Sequence, residues 1–308
     1  MKLHILKWER LWWSISTFLI LGGIIAMLIS YSTFNSPVRP GIDFIGGTRL
    51  QLQLVCAAEG TCDQPIDTGK VREILVQQGL NGSSIQVLEN NILSIRSKNL
   101  DVDQRTQLQQ ILNKKIGQFD PETIQIDTVG PTVGQELFKS GILALLVAFF
   151  GIIVYLTVRF QFDYAFFAII ALFHDVFITV GVFAVLGLIT AIEVDSLSLV
   201  ALLTIIGFSV NDTVVIYDRI RDNIEKKPDI SINEAVETSV NQSLARSINT
   251  SVTTILPLLA IFLFGGETLK YFSLALIIGF LAGAYSSIFI ASTLLAWWRN
   301  RTLSSVGS

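Results

Sequence analysis

Two residues inside long apolar runs carry chemistry that their surroundings do not need for packing. Asp212 sits within Thr204 to Arg221, TIIGFSVNDTVVIYDRIR, and Val214, Val215, Ile216 and Tyr217 follow it, so it lies at depth rather than at a water surface. An ionised carboxylate in hydrocarbon costs roughly 2.5–3.5 kcal/mol on insertion scales, and such residues mark proton and ion pathways. Thr204, Gly207, Asn211 and Asp212 fall at i, i+3, i+7 and i+8 and share one small, polar helical face. One other apolar run offers a cation at depth, Arg246, and Arg246, Asn249, Thr250 and Thr253 again share a face. If the two faces meet, Asp212 and Arg246 form a pair that H+ or Na+ can open, because an opposite charge and apolar surroundings act on a carboxylate in opposite senses. One elementary charge crossing 100 mV gains about 2.3 kcal/mol, enough to bias a two-state element. The bland alternative is a static buried ion pair that fixes helix register.

His174 and Asp175 are the second candidates, in a different apolar run. Ala171, Asp175 and Thr179 share a face, and Asp175 is favoured over His174, which also suits a packing role. Cys56 and Cys62 flank a polar loop, either as a local disulfide or as two unpaired thiols, and in both cases they read as structural. No metal-ligand spacing, Walker motif or cofactor fingerprint occurs, so the residues point to ion coupling and away from an enzyme.

These residues must be positioned by a membrane-embedded scaffold. Of 308 residues, 51% are hydrophobic and 15% charged, against about 25% charged in soluble domains. The net charge of −3 argues against nucleic-acid binding. The expected fold is a polytopic α-helical membrane protein with six spans, starting near 11, 137, 164, 196, 246 and 271. The first run exceeds the 7–15 residues of a signal-peptide core and lacks a small-x-small site, which favours a retained span. Residues 35–136 have the composition of a soluble domain. Strand Thr48–Val55, helix Asp67–Gln78, hairpin Ser84–Leu88 and Ile92–Arg96 around Glu89-Asn90-Asn91, helix Asp101–Ile116 and strand Thr123–Val129 give β-α-β-β-α-β, the ferredoxin-like α+β pattern. The chain divides into 1–34, a cytoplasmic start and first span; 35–136, the ferredoxin-like domain; and 137–308, five further spans. Ser231-x-x-Glu234 is a capping box and predicts a short helix ahead of the fifth span. Trp297, Trp298, Arg299 and Arg301 read as an interfacial anchor.

Ten Lys or Arg residues, Lys2 among them, lie in the two ends, the turn at 159 and the segment 218–245, against Lys270 alone in the two short opposite loops. The basic-residue bias predicts cytoplasmic termini and an extracytoplasmic domain.

The stretches Gly41-Ile-Asp-Phe-Ile-Gly-Gly-Thr48, Val129-Gly-Pro-Thr-Val-Gly-Gln-Glu-Leu137, His174-Asp-Val176 and the Asn-Asp-Thr segment Gly207–Arg221 closely resemble the SecF family of bacterial protein translocase subunits. That family is of resistance-nodulation-division type within the SecD/SecF group. The resemblance covers essentially the whole chain. It implies a subunit that pairs with SecD, associates with the SecYEG channel and YajC, and uses proton or sodium motive force in late steps of translocation of unfolded secretory proteins. It implies the bacterial inner membrane, with a thylakoid membrane as the alternative. It also carries the family's coupling carboxylate onto Asp212 and its fifth-span arginine onto Arg246. Two competing expectations remain: an ion-coupled exporter of lipid or another small amphiphile, and a non-transducing structural subunit.

Overall fold

The structure is a computed structural model and describes residues 3–59, 61–62, 65–88, 91–190 and 192–306, so Lys2 and the hairpin-turn residues Glu89 and Asn90 lie outside the described residues. The chain forms two compact units, Pro40–Ser140 and Met1–Arg39 with Gly141–Ser308.

In the smaller unit, a short helix α2 (Ile42–Ile45) leads into strand β1 (Gly47–Gln53). A one-turn helix α3 (Val55–Glu59), helix α4 (Thr68–Gln77), strands β2 (Ser84–Leu88) and β3 (Ile92–Ser97), helix α5 (Val102–Lys115) and strand β4 (Gln125–Val129) follow. The sheet order is β2-β3-β1-β4 and every pairing is antiparallel, so Leu50 faces Ile95 on one side and Ile126 on the other. This is the expected ferredoxin-like arrangement. The helices start where their caps place them: Asp67 accepts from the Gly69 and Lys70 amides, and Asp101 forms a capping box with Gln104. Leu50, Leu52, Leu93 and Ile95 of the sheet pack on Val71, Ile74 and Leu75 of α4 and Leu108 and Leu112 of α5. Cys56 and Cys62 are joined as a disulfide with Cα atoms 4.9 Å apart, which closes the loop after β1.

The glycine pair that opens β1 is forced by the backbone. Gly46 and Gly47 have φ of 76° and 134°, a region that L side chains rarely adopt. A Cβ on Gly46 would lie 2.8 Å from Pro131 Cα, and one on Gly47 would lie 2.5 Å from the Ser97 carbonyl oxygen.

The larger unit is built from helices long and apolar enough to span a bilayer, six among the described residues. They are α1 (Glu9–Phe34), α6 (Pro131–Arg159, which begins in the smaller unit), α7 (Phe162–Ile189), α8 (Ser196–Lys226), α9 (Ile232–Phe264), and a sixth span made of α10 (Gly266–Ser286), a π-helical turn (Ser287–Ala291) and α11 (Ser292–Val306). α10 packs against α7, α8 and α9, and α1 packs on α7. Gly23 of α1 and Gly181 of α7 let those two backbones touch, since a Cβ on Gly23 would lie 3.0 Å from Gly181 Cα. The core runs through Leu156, Phe160, Tyr164, Leu172, Ile216, Tyr217 and Leu295.

Two sequence expectations need correction. The fourth span continues past Tyr217 to Lys226 as one helix capped by Asp195. Ser231 does accept from the Glu234 amide, but it caps a continuous 33-residue helix and not a short one ahead of the fifth span. Nothing between Ser231 and Arg246 breaks a helix, and Ile232, Ala235, Val236 and Val240 bury one stripe, so the two segments merge. Arg299, in the expected interfacial anchor, is held in place: its Nε donates to Asp163 Oδ2 at 2.6 Å and its guanidinium lies 4.4 Å from the Tyr164 ring centroid.

Candidate functional site

α8 carries the first acid of the site, Asp212, on its inward face near mid-length. Asp212 is 9% exposed. Its Oδ1 accepts a 2.8 Å hydrogen bond from Ser247 Oγ of α9. Its Oδ2 is buried and has no hydrogen-bond partner among the described residues. A buried acceptor left unpaired is expensive, and more so when charged. The carboxylate is therefore half held and half open, an arrangement suited to receiving a proton or a cation.

Ser247 belongs to a ridge. Ser239, Ser243, Ser247 and Ser251 recur every four residues on α9 and all four are buried. Small side chains let helix backbones approach closely, and hydroxyls bond across the gap. This ridge was not expected from the sequence; its signal is the fourfold serine spacing, which the lone arginine beside it outweighed.

Arg246 is one residue away, about 100° around the helix. It is exposed, and among the described residues no ion pair joins it to Asp212. It lines a pocket of about 350 Å³ with Asp218, Arg221, Asp222 and Glu225, near the Arg159–Asp218 bridge whose two contacts are 2.8 and 2.9 Å. The Arg246 charge acts on Asp212 without bonding to it: the serine ridge faces α8, and the face of Arg246 and Asn249 turns outward. Thr204, Asn211 and Asn249 are exposed, and Thr250 is half-buried. Thr204 spends its hydroxyl on the Val200 carbonyl of its own helix, at 2.8 Å. The expected polar face exists, but only Asp212 of it points inward.

Asp175 is the most deeply placed acid, at 0% exposure. Its Oδ2 accepts from Ser209 Oγ of α8 at 2.5 Å and from Ser286 Oγ of α10 at 2.8 Å. Its Oδ1 lies 2.8 Å from His174 Nδ1. His174 Nε2 lies 3.0 Å from Ser16 Oγ of α1. Asp175 and His174 therefore act together, and Ser16, Ser209 and Ser286 are partners that sequence alone did not nominate. Next to them, Thr213 Oγ1 lies 2.8 Å from Ser287 Oγ, and Tyr217 Oη donates to the Ala291 carbonyl at 3.1 Å, so α8 meets the sixth span at its π-helical turn. π-bulges recur at functional sites.

The comparisons agree with this architecture. The family of SecD/SecF protein export membrane proteins matches by its C-terminal model over residues 108–301, and its GG-motif model matches residues 31–58, which contain Gly46 and Gly47. A protein translocase subunit SecF of Synechocystis is 62% identical over 97% of this chain and 95% of its own length. One from Thermobaculum terrenum is 38% identical over 97% of this chain and 95% of its own. The crystal structure of SecDF, a translocon-associated membrane protein from Thermus thermophilus, matches 98% of this chain with a TM-score of 0.81 and 30% identity. The present chain spans 39% of that longer SecDF chain. The resemblance carried by the Gly-Gly and Asn-Asp-Thr segments is borne out: the chain belongs to the SecD/SecF family of protein export membrane proteins, in its SecF branch.

Proposed function

We propose that this chain works with a SecD-type subunit to couple a proton or sodium gradient to late steps of protein translocation. One observation carries the reading: Asp212 is buried in a spanning helix with one carboxylate oxygen bonded to Ser247 and the other without a hydrogen-bond partner among the described residues. Such an oxygen can accept an arriving proton or cation, and doing so changes the charge that α9 meets. Arg246 is the second coupling residue in this reading. It acts from the flanking pocket and would swing toward or away from the carboxylate as α9 moves.

The outward polar face of Thr204, Asn211, Arg246 and Asn249 supports a partner, because polar side chains at membrane depth avoid lipid. A SecD-type six-span half is the partner of matching architecture; the SecYEG channel, YajC and unfolded secretory clients complete the proposed assembly. In this reading the termini are cytoplasmic, residues 35–136 are extracytoplasmic, and the membrane is the bacterial inner membrane or a thylakoid.

The test is translocation into vesicles that hold this chain and its SecD-type partner, with proton and sodium gradients imposed separately. Asp212→Asn should remove the gradient-dependent component and leave the ATP-driven component intact. A full gradient response in that variant would refute coupling through Asp212 and leave the non-transducing subunit as the answer.

A further inference from the structure

The two buried acids, Asp175 of α7 and Asp212 of α8, are in opposite conditions, and the hydrogen-bond directions around Asp175 say why. Tyr285 Oη donates to the Trp12 carbonyl at 2.9 Å, so its oxygen is free to accept. Ser16 donates its single hydroxyl hydrogen to that oxygen at 3.3 Å. Ser16 therefore has only lone pairs left for His174, and Nε2 must carry a hydrogen. On the other side, Asp175 Oδ2 accepts from Ser209 at 2.5 Å and from Ser286 at 2.8 Å, closer than the 3.2 Å from Ser286 Oγ to the Gly283 carbonyl. Both hydroxyl hydrogens therefore point at Oδ2, and it does not carry the acid proton. The remaining 2.8 Å contact joins Nδ1 to Oδ1. Two lone pairs cannot face each other there, so one hydrogen lies between them. It makes either an imidazolium beside a carboxylate or a neutral imidazole beside a carboxylic acid; the pair has no net charge in both forms.

We infer that His174 and Asp175 form a closed, net-neutral anchor that positions α8, and with it Asp212, against α1, α7 and α10. The anchor is closed because losing the shared hydrogen would set two lone pairs against each other, and gaining another would displace a serine donor. Trp12 and Ser16 of α1, Ser209 of α8, and Tyr285 and Ser286 of α10 face it, and no further charged side chain among the described residues bonds to it. Ser209 precedes Asp212 by three residues, a rise of about 4.5 Å. α8 is thus tied down about one turn before the open acid, on the same side of the helix. The ion-driven movement then belongs to α9, which meets Asp212 through the Ser247 hydrogen bond. This inference rests on the reading of Asp212 as the coupling acid.

The chain's two histidines make the test direct. In the full chain in lipid nanodiscs, labelled with 15N-histidine, the buried ring should show a hydrogen on Nε2 and a hydrogen-bonded Nδ1, with exposed His4 as the reference. A bare Nε2 overturns the inference. Asp212→Asn should leave the His174 signals in place; their movement would make the pair part of the coupling route and overturn its closed character. Ser209→Ala should shift those signals and slow gradient-driven translocation about tenfold, with the ATP-driven component unchanged. Unmoved signals or an undiminished rate would refute positioning through Ser209. Ser286→Ala gives the same readouts if Ser209→Ala does not fold. A normal gradient response in Asp212→Asn would sink the coupling reading alone, because the hydrogen on Nε2 is read without transport.

Discussion

Ser247 holds Asp212 across the α8–α9 interface through a single 2.8 Å hydrogen bond to Oδ1. Hydrogen bonds to charged groups contribute about 1.5–3 kcal/mol, and each 1.36 kcal/mol on a barrier is about tenfold in rate. Ser247→Ala should therefore slow gradient-driven translocation by about tenfold or more. Thr254→Ala should not, because that hydroxyl bonds only to the Thr250 and Ser251 carbonyls of its own helix. Vesicle translocation rates with and without a gradient decide it, and equal losses in both variants would count against the Ser247 bond.

Arg39 and Glu193 tie the chain leaving α1 to the loop between α7 and α8. Their charged atoms are 3.5 Å apart, and the Val194 amide donates to the Arg39 carbonyl at 2.9 Å. Both side chains are largely buried, Glu193 at 7% exposure. Removing one member of a buried pair typically costs about 3–5 kcal/mol, while replacing both by apolar groups costs far less. Arg39→Leu should lower the melting temperature in detergent markedly, and adding Glu193→Leu should recover much of the loss. Additive losses would mean the pair does not act as a unit.

Gly47→Ala should unfold or loosen the smaller unit, since φ of 134° and a 2.5 Å approach to the Ser97 carbonyl oxygen leave no room for a methyl. Strained backbone of this kind costs about 1–3 kcal/mol per residue. Hydrogen exchange of the β1 and β3 amides should rise in the variant. Gly22→Ala, where nothing lies within 4 Å of the added carbon, should leave exchange and expression unchanged.

The Cys56–Cys62 bridge closes a loop of six residues' separation. Chain-entropy arithmetic for so short a loop gives about 2 kcal/mol. Cys62→Ser should make the segment between β1 and α4 faster to cleave in limited proteolysis and leave the gradient response of translocation intact. A lost gradient response would assign the loop a direct part in transport.

Much of this was legible in the chain itself, for identifiable reasons. The ferredoxin-like order followed from the alternation through Leu50 and Leu52, from the apolar faces of the two helices, and from Gly79 and Gly117, which end them. The spans followed from their length and apolarity. Asp212 stood out because an acid in an oily run has no packing excuse. Its true partner did not stand out, because charge draws attention to Arg246 while geometry selects the small hydroxyl beside it. The environment of His174 was hidden for another reason: its bond to Ser16 joins residues 158 apart in sequence, and no local pattern reports such a pairing. The π-helical turn carries neither proline nor glycine within Ser287–Ala291, so nothing in its composition announces it.

That turn has a consequence for everything downstream of it. An i to i+5 turn accommodates one residue more than an α-helix would, and each residue advances an α-helix by about 100°. The far end of the last helix is therefore set in phase by that surplus residue. Trimming one position from Ser287–Ala291 would rotate Thr293 away from the indole of Trp13, now 2.9 Å distant, and carry Arg299 off Asp163. A one-codon deletion there would keep the helix whole and misdirect its tip.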